Sequence, residues 1–146
     1  MKIMAVDYGD TRTGVAFSDL TGTIAGETLV LVEREPGRLA GKLAELYASR
    51  GAQLAALGLP LNMDGSRGPR AERSEAMAEA LRARGLEVRM IDERLTTVAA
   101  HSIMAAGGIS GKKRKSRIDA VAATLILETA LGMLKNEKTE VTPNAD

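Results

Sequence analysis

Acidic residues stand at the ends of three apolar segments of this sequence. Asp7 follows the run Ile3–Val6, Asp92 and Glu93 follow Val88–Ile91, and Asp119 begins an apolar helix face. The chain has no cysteine and a single histidine, so oxygen atoms are the ligands it can gather in number. Clustered carboxylates select a hard divalent cation, Mg²⁺ or Mn²⁺. Such an ion activates water and stabilises a displacement at phosphorus, which predicts metal-dependent phosphoryl transfer.

A basic cluster follows in the last third of the chain. It comprises Lys112, Lys113, Arg114, Lys115 and Arg117. These are five of the 20 basic residues, so the other 15 are outnumbered by 19 acidic residues. A concentrated positive charge on a mildly acidic body favours a polyanionic partner, although a solvated loop fits the charge equally well. Together with the acidic residues, the cluster predicts a nuclease that holds a phosphodiester backbone.

Asp119 has a structural interpretation as well as a chemical one. It shares a helix side with Ala122, Ala123 and Ile126, so its carboxylate must meet a cation, a metal or hydrogen bonds where that face packs. The stretch Ser116–Asp119 also has the spacing of a capping box, with Asp119 in place of the usual glutamate. The sequence alone leaves both roles open.

The elements that must position these residues alternate along the chain. Apolar runs and turn signals predict strands at 2–7, 13–18, 27–33, 54–59 and 86–91, helices at 38–50, 71–84, 97–106 and 117–135, and a basic loop at 109–117. Three consecutive strands favour an antiparallel meander, and the later strand–helix–strand units require parallel pairing. The prediction is an α/β fold: a five-stranded mixed sheet, with strands 1–3 antiparallel and strands 1, 4 and 5 parallel, flanked by helices.

That sheet would collect the polar residues at one place. Ligands bind beyond the carboxyl ends of parallel strands, where Asp7 and the pair Asp92 and Glu93 are expected. The polar loop after strand 4, which contains Asn62 and Asp64, leaves the sheet at the same end. Side chains alternate along a strand, so we expect one of Asp92 and Glu93 to face the site.

Length and composition limit the remaining choices. The 146 residues predict one domain over 1–135, followed by a polar tail at 136–146. Aromatic residues make up 2% of the chain, which argues against a surface that stacks bases on rings. The first residues match neither a signal peptide nor a membrane span, so we expect a cytoplasmic protein.

Four motifs resemble those of one known family, in the family's order and over roughly residues 1–134. They are Asp7-Tyr8-Gly9 with Arg12, Gly14-Val15-Ala16 and Ser18-Asp19; Gly58-Leu59-Pro60-Leu61-Asn62-Met63-Asp64-Gly65; Asp92-Glu93-Arg94-Leu95-Thr96-Thr97 with Ala100; and Lys112–Arg117 with Asp119, Ala122-Ala123 and Leu127. The family is that of the Holliday-junction-resolvase-like pre-16S ribosomal RNA nucleases, also called YqgF or RuvX.

The resemblance implies an RNase H-like fold and maturation of the 5′ end of 16S ribosomal RNA in ribosome biogenesis. It also implies that Asp7, Glu93 and Asp119 form the catalytic, metal-binding set, with Asp92 as the second choice for Glu93. We further predict that Arg12, Asn62 and the basic cluster contact nucleic acid, although Asn62 and Asp64 fit the shaping of a turn equally well. Mg²⁺ or Mn²⁺ is the predicted cofactor. Phosphate contacts of this kind supply affinity and salt dependence without sequence specificity.

Three other functions fit parts of the sequence. A Holliday junction resolvase would use the same acidic residues on branched DNA. A nucleotide-dependent phosphotransferase shares the Asp7–Gly14 pattern, but such proteins need two domains of this kind. An RNA-binding ribosome-assembly factor, working with ribosomal particles, would need no chemistry at all. The sequence is compatible with a monomer or a homodimer.

Overall fold

The computed structural model describes residues 1–19, 21, 26–95 and 111–141; the side chains of 95, 111–119 and 138–141 are outside that description. The elements are β1 (Ile3–Asp7), β2 (Arg12–Phe17), β3 (Thr28–Val32), α1 (Pro36–Ser49), β4 (Leu54–Leu59), α2 (Pro69–Ala83), β5 (Val88–Asp92), a 3-10 turn (Glu93–Leu95) and α3 (Gly111–Val141). No helix in these ranges combines the length and apolarity needed to cross a membrane.

The five strands form one mixed sheet in the order β3-β2-β1-β4-β5. β1 pairs antiparallel with β2, and β2 with β3. β4 pairs parallel with both β1 and β5. The predicted fold class is therefore confirmed, including the division between antiparallel and parallel strands. The carboxyl ends of β1, β4 and β5, at Asp7, Leu59 and Asp92, lie side by side, and we call this end of the sheet the carboxyl rim.

Alternating residues of the strands build a core on each face of the sheet. One core joins Met4 and Val6 of β1 to α1 and α2. The other joins Ile3 and Ala5 to α3, which contributes Ala123, Ile126, Leu127 and Ala130. Because strand side chains alternate, Asp7 continues the series of Ile3 and Ala5 and belongs to the α3 face.

Local signals fix the ends of the first two helices. The side chain of Glu35 accepts hydrogen bonds from the backbone N–H groups of Gly37 and Arg38 at the start of α1. α1 and α2 each begin with a proline, whose missing N–H group costs nothing in the first turn. Gly51 and Gly85 follow these helices with positive φ angles of 69° and 90°, a conformation that stops a helix at low cost for glycine.

The last helix differs from its prediction at both ends. It begins at Gly111 instead of 117, so residues 111–117 are helical and the basic loop predicted over 109–117 is wrong for them. Lysine and arginine are good helix formers, and nothing between Gly111 and Asp119 interrupts the helix. Ser116 therefore stands within the helix, which rules out the capping box. The helix continues to Val141, beyond the predicted boundary at 135, while the predicted helix over 97–106 lies outside the described residues.

Candidate active site

Two acidic side chains meet at the carboxyl rim. Asp7 is the last residue of β1, opposite Gly14 of β2, and Glu93 is the first residue of the 3-10 turn after β5. Their carboxyl groups are joined by a hydrogen bond. Glu93 is only 7% exposed, which is unusual for a glutamate. The chain thus brings together two of the acids that the sequence singles out, one at the end of β1 and one just after β5, with β4 between them.

Gly58 provides the room for this contact. It lies near the end of β4, which separates β5 from β1. A Cβ atom at this position would lie 2.8 Å from both Cγ and Cδ of Glu93 and 2.8 Å from Cδ1 of Ile126. The side chain of Glu93 therefore crosses β4 where a side chain is missing. Any other residue at 58 would collide with Glu93 or with α3.

The contact changes the acidity of Asp7. Burial, followed by the charge of Glu93 and the hydrogen bond to it, raises the pKa of Asp7 from 3.8 to about 8. The positive charge of Arg70, in the first turn of α2, acts in the opposite direction and lowers the pKa. At neutral pH, and without a cation, the pair holds a proton that a metal would displace.

Asp92 has a different partner. Nε and Nη2 of Arg94 donate hydrogen bonds to its carboxylate at 2.9 and 2.7 Å, and the backbone N–H of Arg94 donates another at 2.9 Å. These bonds lower the pKa of Asp92. Glu93 is thus the residue directed to Asp7, whereas Asp92 is half-buried in an ion pair.

The polar loop after β4 also reaches the carboxyl rim. Nδ2 of Asn62 donates to Oγ of Ser66 at 2.9 Å, and Oδ1 of Asp64 accepts from the N–H and O–H groups of Ser66 at 2.9 and 2.6 Å. These hydrogen bonds lower the pKa of Asp64. Asn62 and Asp64 therefore shape the loop, and the assignment of Asn62 to nucleic acid stays a prediction.

The remaining predicted residues lie on two other elements. Arg12 is the first residue of β2, beyond the position opposite Asp7, and is half-buried. Asp119 and the basic cluster of Lys112, Lys113, Arg114, Lys115 and Arg117 lie in the first three turns of α3. Their side chains are outside the described part of the chain, so the role of Asp119 as a third acid stays a prediction. Within the described residues, no group of three potential metal ligands is found.

The donor set fits a hard cation. Asp7 and Glu93 offer only carboxylate oxygens, and the sequence contains no cysteine that would select a softer metal. Two acids that share a proton in a poorly solvated site are costly when both are ionised, and a divalent cation would offset that cost. The pair accordingly matches the chemistry of Mg²⁺ or Mn²⁺.

Sequence reasoning missed two contributors. Gly58 gave a weak signal, because a glycine within a strand marks a close approach of some neighbour without saying which. Arg70 gave no signal in the sequence, because its effect on the pKa of Asp7 depends on how close the first turn of α2 lies to the end of β1. The close packing at Gly58 could have been suspected from a glycine that directly follows the buried run Ala55–Leu57.

The sequence was compared with those of known protein families and of individual proteins. The sequence profile of the RuvX family, described as a Holliday junction resolvase, matches residues 1–133. A Chloroflexus aggregans protein named "Putative pre-16S rRNA nuclease" is 38% identical over 135 residues, covering 92% of this chain and 95% of the relative. A Moorella thermoacetica protein of the same name is 42% identical over 135 residues, covering 92% and 96%.

A solved structure supports the fold. RuvC of Thermus thermophilus superposes with a TM-score of 0.53 at 15% identity, covering 93% of this chain and 97% of RuvC. At this identity the likeness shows the fold alone, which is RNase H-like, as the family resemblance implied. The profile extends over the whole sheet and most of α3, and it includes both residues of the acidic pair. The chain belongs to the RuvX family, whose members are described as nucleases, hydrolases of phosphodiester bonds.

Proposed function

We propose that this protein is a metal-dependent endonuclease that processes the 5′ end of pre-16S ribosomal RNA. The observation that carries the proposal is the contact at the carboxyl rim between the half-buried Asp7 and the buried Glu93. The names of its relatives support ribosomal RNA as the substrate. The same proposal places the protein in the cytoplasm, where ribosomal particles would present the precursor.

The residues divide the work. Asp7, Glu93 and Asp119 would hold one or two Mg²⁺ or Mn²⁺ ions. When bound, the ion supplies Lewis acidity at the scissile phosphate and lowers the pKa of the attacking water. Burial of Glu93 limits the water around the pair, which strengthens its electrostatic interactions. Arg12 and the basic cluster would neutralise the flanking phosphates.

Branched DNA is the second candidate substrate. The family is described as a Holliday junction resolvase, and the RuvC protein that shares the fold has been solved with a Holliday junction. A resolvase must cut two symmetric strands and therefore acts as a dimer, whereas RNA trimming is open to a monomer. The choice of substrate therefore bears on the oligomeric state: cleavage of a DNA junction would require a dimer, and cleavage of the RNA would not.

The decisive experiment compares cleavage of a pre-16S RNA fragment and of a four-way DNA junction, with Mg²⁺ or Mn²⁺ and with EDTA. We expect metal-dependent cleavage of the RNA, lost at least 100-fold in Asp7→Asn, because a metal ligand and its charge are removed. Asp10→Asn is the matched control, since Asp10 is exposed and pairs with Arg73 at 3.4 Å. Cleavage that persists in Asp7→Asn or in EDTA would contradict the proposal. Binding of the RNA by the unmodified protein without cleavage of either substrate would also contradict it, and would favour a non-catalytic RNA-binding role.

A further inference from the structure

The loop between β4 and α2, residues 60–68, is stabilised by hydrogen bonds among its own residues, and we call it the braced loop. The N–H of Asn62 donates to the carbonyl of Ser66 at 2.9 Å, and the N–H of Gly65 donates to the carbonyl of Asn62 at 2.8 Å. Gly65 has a φ of 87°, which glycine adopts without strain. Asp64 and Ser66 add two more bonds. The backbone of the loop is therefore held in one shape before any substrate arrives.

Arg94 fixes this loop to the acidic site. Its guanidinium binds Asp92 through Nε and Nη2, and Nη1 donates to the carbonyl of Met63 at 3.5 Å. A Cβ atom at Gly65 would lie 3.4 Å from the same Nη1. The next residue back along the chain, Glu93, binds Asp7. Consecutive residues thus hold the loop and complete the acidic pair.

The braced loop presents an apolar side chain to solvent. Met63 is 82% exposed, the highest value among the large hydrophobic residues of the described chain. Single exposed apolar residues are common on protein surfaces. This one differs because it stands on a turn stabilised by six hydrogen bonds, at the carboxyl rim, beside Asn62, Asp64 and Ser66, whose side chains are engaged within the loop.

We propose that Met63 packs against a nucleobase of the substrate next to the scissile phosphate, and that Arg94 is the positioning residue that holds it there. This inference rests on the proposed function. A thioether is polarisable and packs well against aromatic rings, and methionine is among the apolar side chains that proteins insert at base steps. The contact favours a site where duplex meets single strand, because an exposed base face is available there.

The test uses an RNA hairpin with a 5′ single-stranded extension and 2-aminopurine at the junction, bound by the Asp7→Asn protein so that no cleavage intervenes. We expect a change in fluorescence on binding. Met63→Ala should remove that change and weaken binding about tenfold, within the range for loss of one base contact. Met63→Leu should retain both. Because Met63 is exposed, these variants should unfold at the temperature of their parent.

Arg94→Gln tests the positioning role. We expect it to reduce the fluorescence change as Met63→Ala does, and the double variant Met63→Ala, Arg94→Gln should be no worse than Met63→Ala alone. The inference is overturned if Met63→Ala binds with unchanged fluorescence and affinity, or if the parent protein shows no fluorescence change. Failure of the proposed function would be seen instead in the cleavage assay, which these binding measurements do not use.

Discussion

The carboxyl groups of Asp7 and Glu93 share a hydrogen bond across β4, and Gly58 is the position over which Glu93 passes. The contact joins the end of β1 to the 3-10 turn that follows β5. Two acids in a buried site are unfavourable to folding when both are charged. The acidic pair therefore lowers the stability of the folded protein, and a divalent cation bound there would restore it. Both effects can be measured.

The first prediction concerns pH in the absence of metal. Asp7 keeps its proton in the folded state up to pH about 8, whereas the unfolded chain loses it near 3.8. Between these values the folded state binds more protons, so this group makes the free energy of unfolding fall as pH rises, with no further change above pH 8. Urea denaturation of the metal-free protein from pH 5 to 9 checks this. An Asp7→Asn protein should lack this component, and identical pH profiles for the two proteins would refute the assignment.

Proton release on metal binding is the second prediction. A carboxyl group that ligates a cation must be deprotonated. We expect up to one proton released per Mn²⁺ bound near pH 6, falling toward zero above pH 8, because the pKa of Asp7 is about 8. Calorimetric titrations in two buffers of different ionisation enthalpy give the number directly. Release that does not vary with pH would mean that Asp7 is not the titrating ligand.

The third prediction compares two glycine substitutions. Gly58→Ala would place a methyl group 2.8 Å from Glu93 and Ile126, so we expect a loss of about 1–3 kcal/mol in the free energy of unfolding, as for overpacking, and weaker Mn²⁺ binding. Gly41→Ala is the matched control, because nothing lies within 4 Å of its Cβ position in α1. It should be stabilised by about 0.5–1 kcal/mol. Equal behaviour of the two variants in denaturation would contradict the crowding at Gly58.

Arg70 supplies the fourth prediction. Its charge lowers the pKa of Asp7, so Arg70→Gln should raise that pKa and shift the pH midpoint of Mn²⁺ binding upward. Arg82→Gln serves as the control, because Arg82 lies in the last turn of the same helix and pairs with Glu79. A shift of the same size in both variants would indicate a general effect of net charge instead of a local one.

The sequence was sufficient for the sheet because its signals are local and mutually consistent. Short apolar runs ended by turn residues predicted all five strands, and parallel pairing placed Asp7 and Glu93 at one end. The start of α3 was less predictable, since lysine and arginine are compatible with both a loop and a helix. The paths of Glu93 over Gly58 and of Arg94 to the β4–α2 loop depend on side-chain directions, which no periodicity encodes.

The last prediction concerns the basic cluster. Because of its place in the helix, removal of its charges should raise the stability of the protein and weaken its binding to RNA. Lys112, Lys113, Arg114 and Lys115 follow Gly111 in the first turns of α3, where no acidic residue is present. The N-terminal end of a helix is electropositive, so cations there destabilise the folded state. Replacing Lys112 and Lys113 with glutamine should therefore raise the free energy of unfolding by a few tenths of a kcal/mol up to about 1 kcal/mol. The same change should weaken RNA binding and reduce the slope of log affinity against log salt by about 1–2.

Replacement of Arg34 and Arg38 with glutamine is the control for net charge and should leave the salt slope unchanged. A double variant that loses stability and keeps its salt slope would show that the cluster serves the helix and not the nucleic acid.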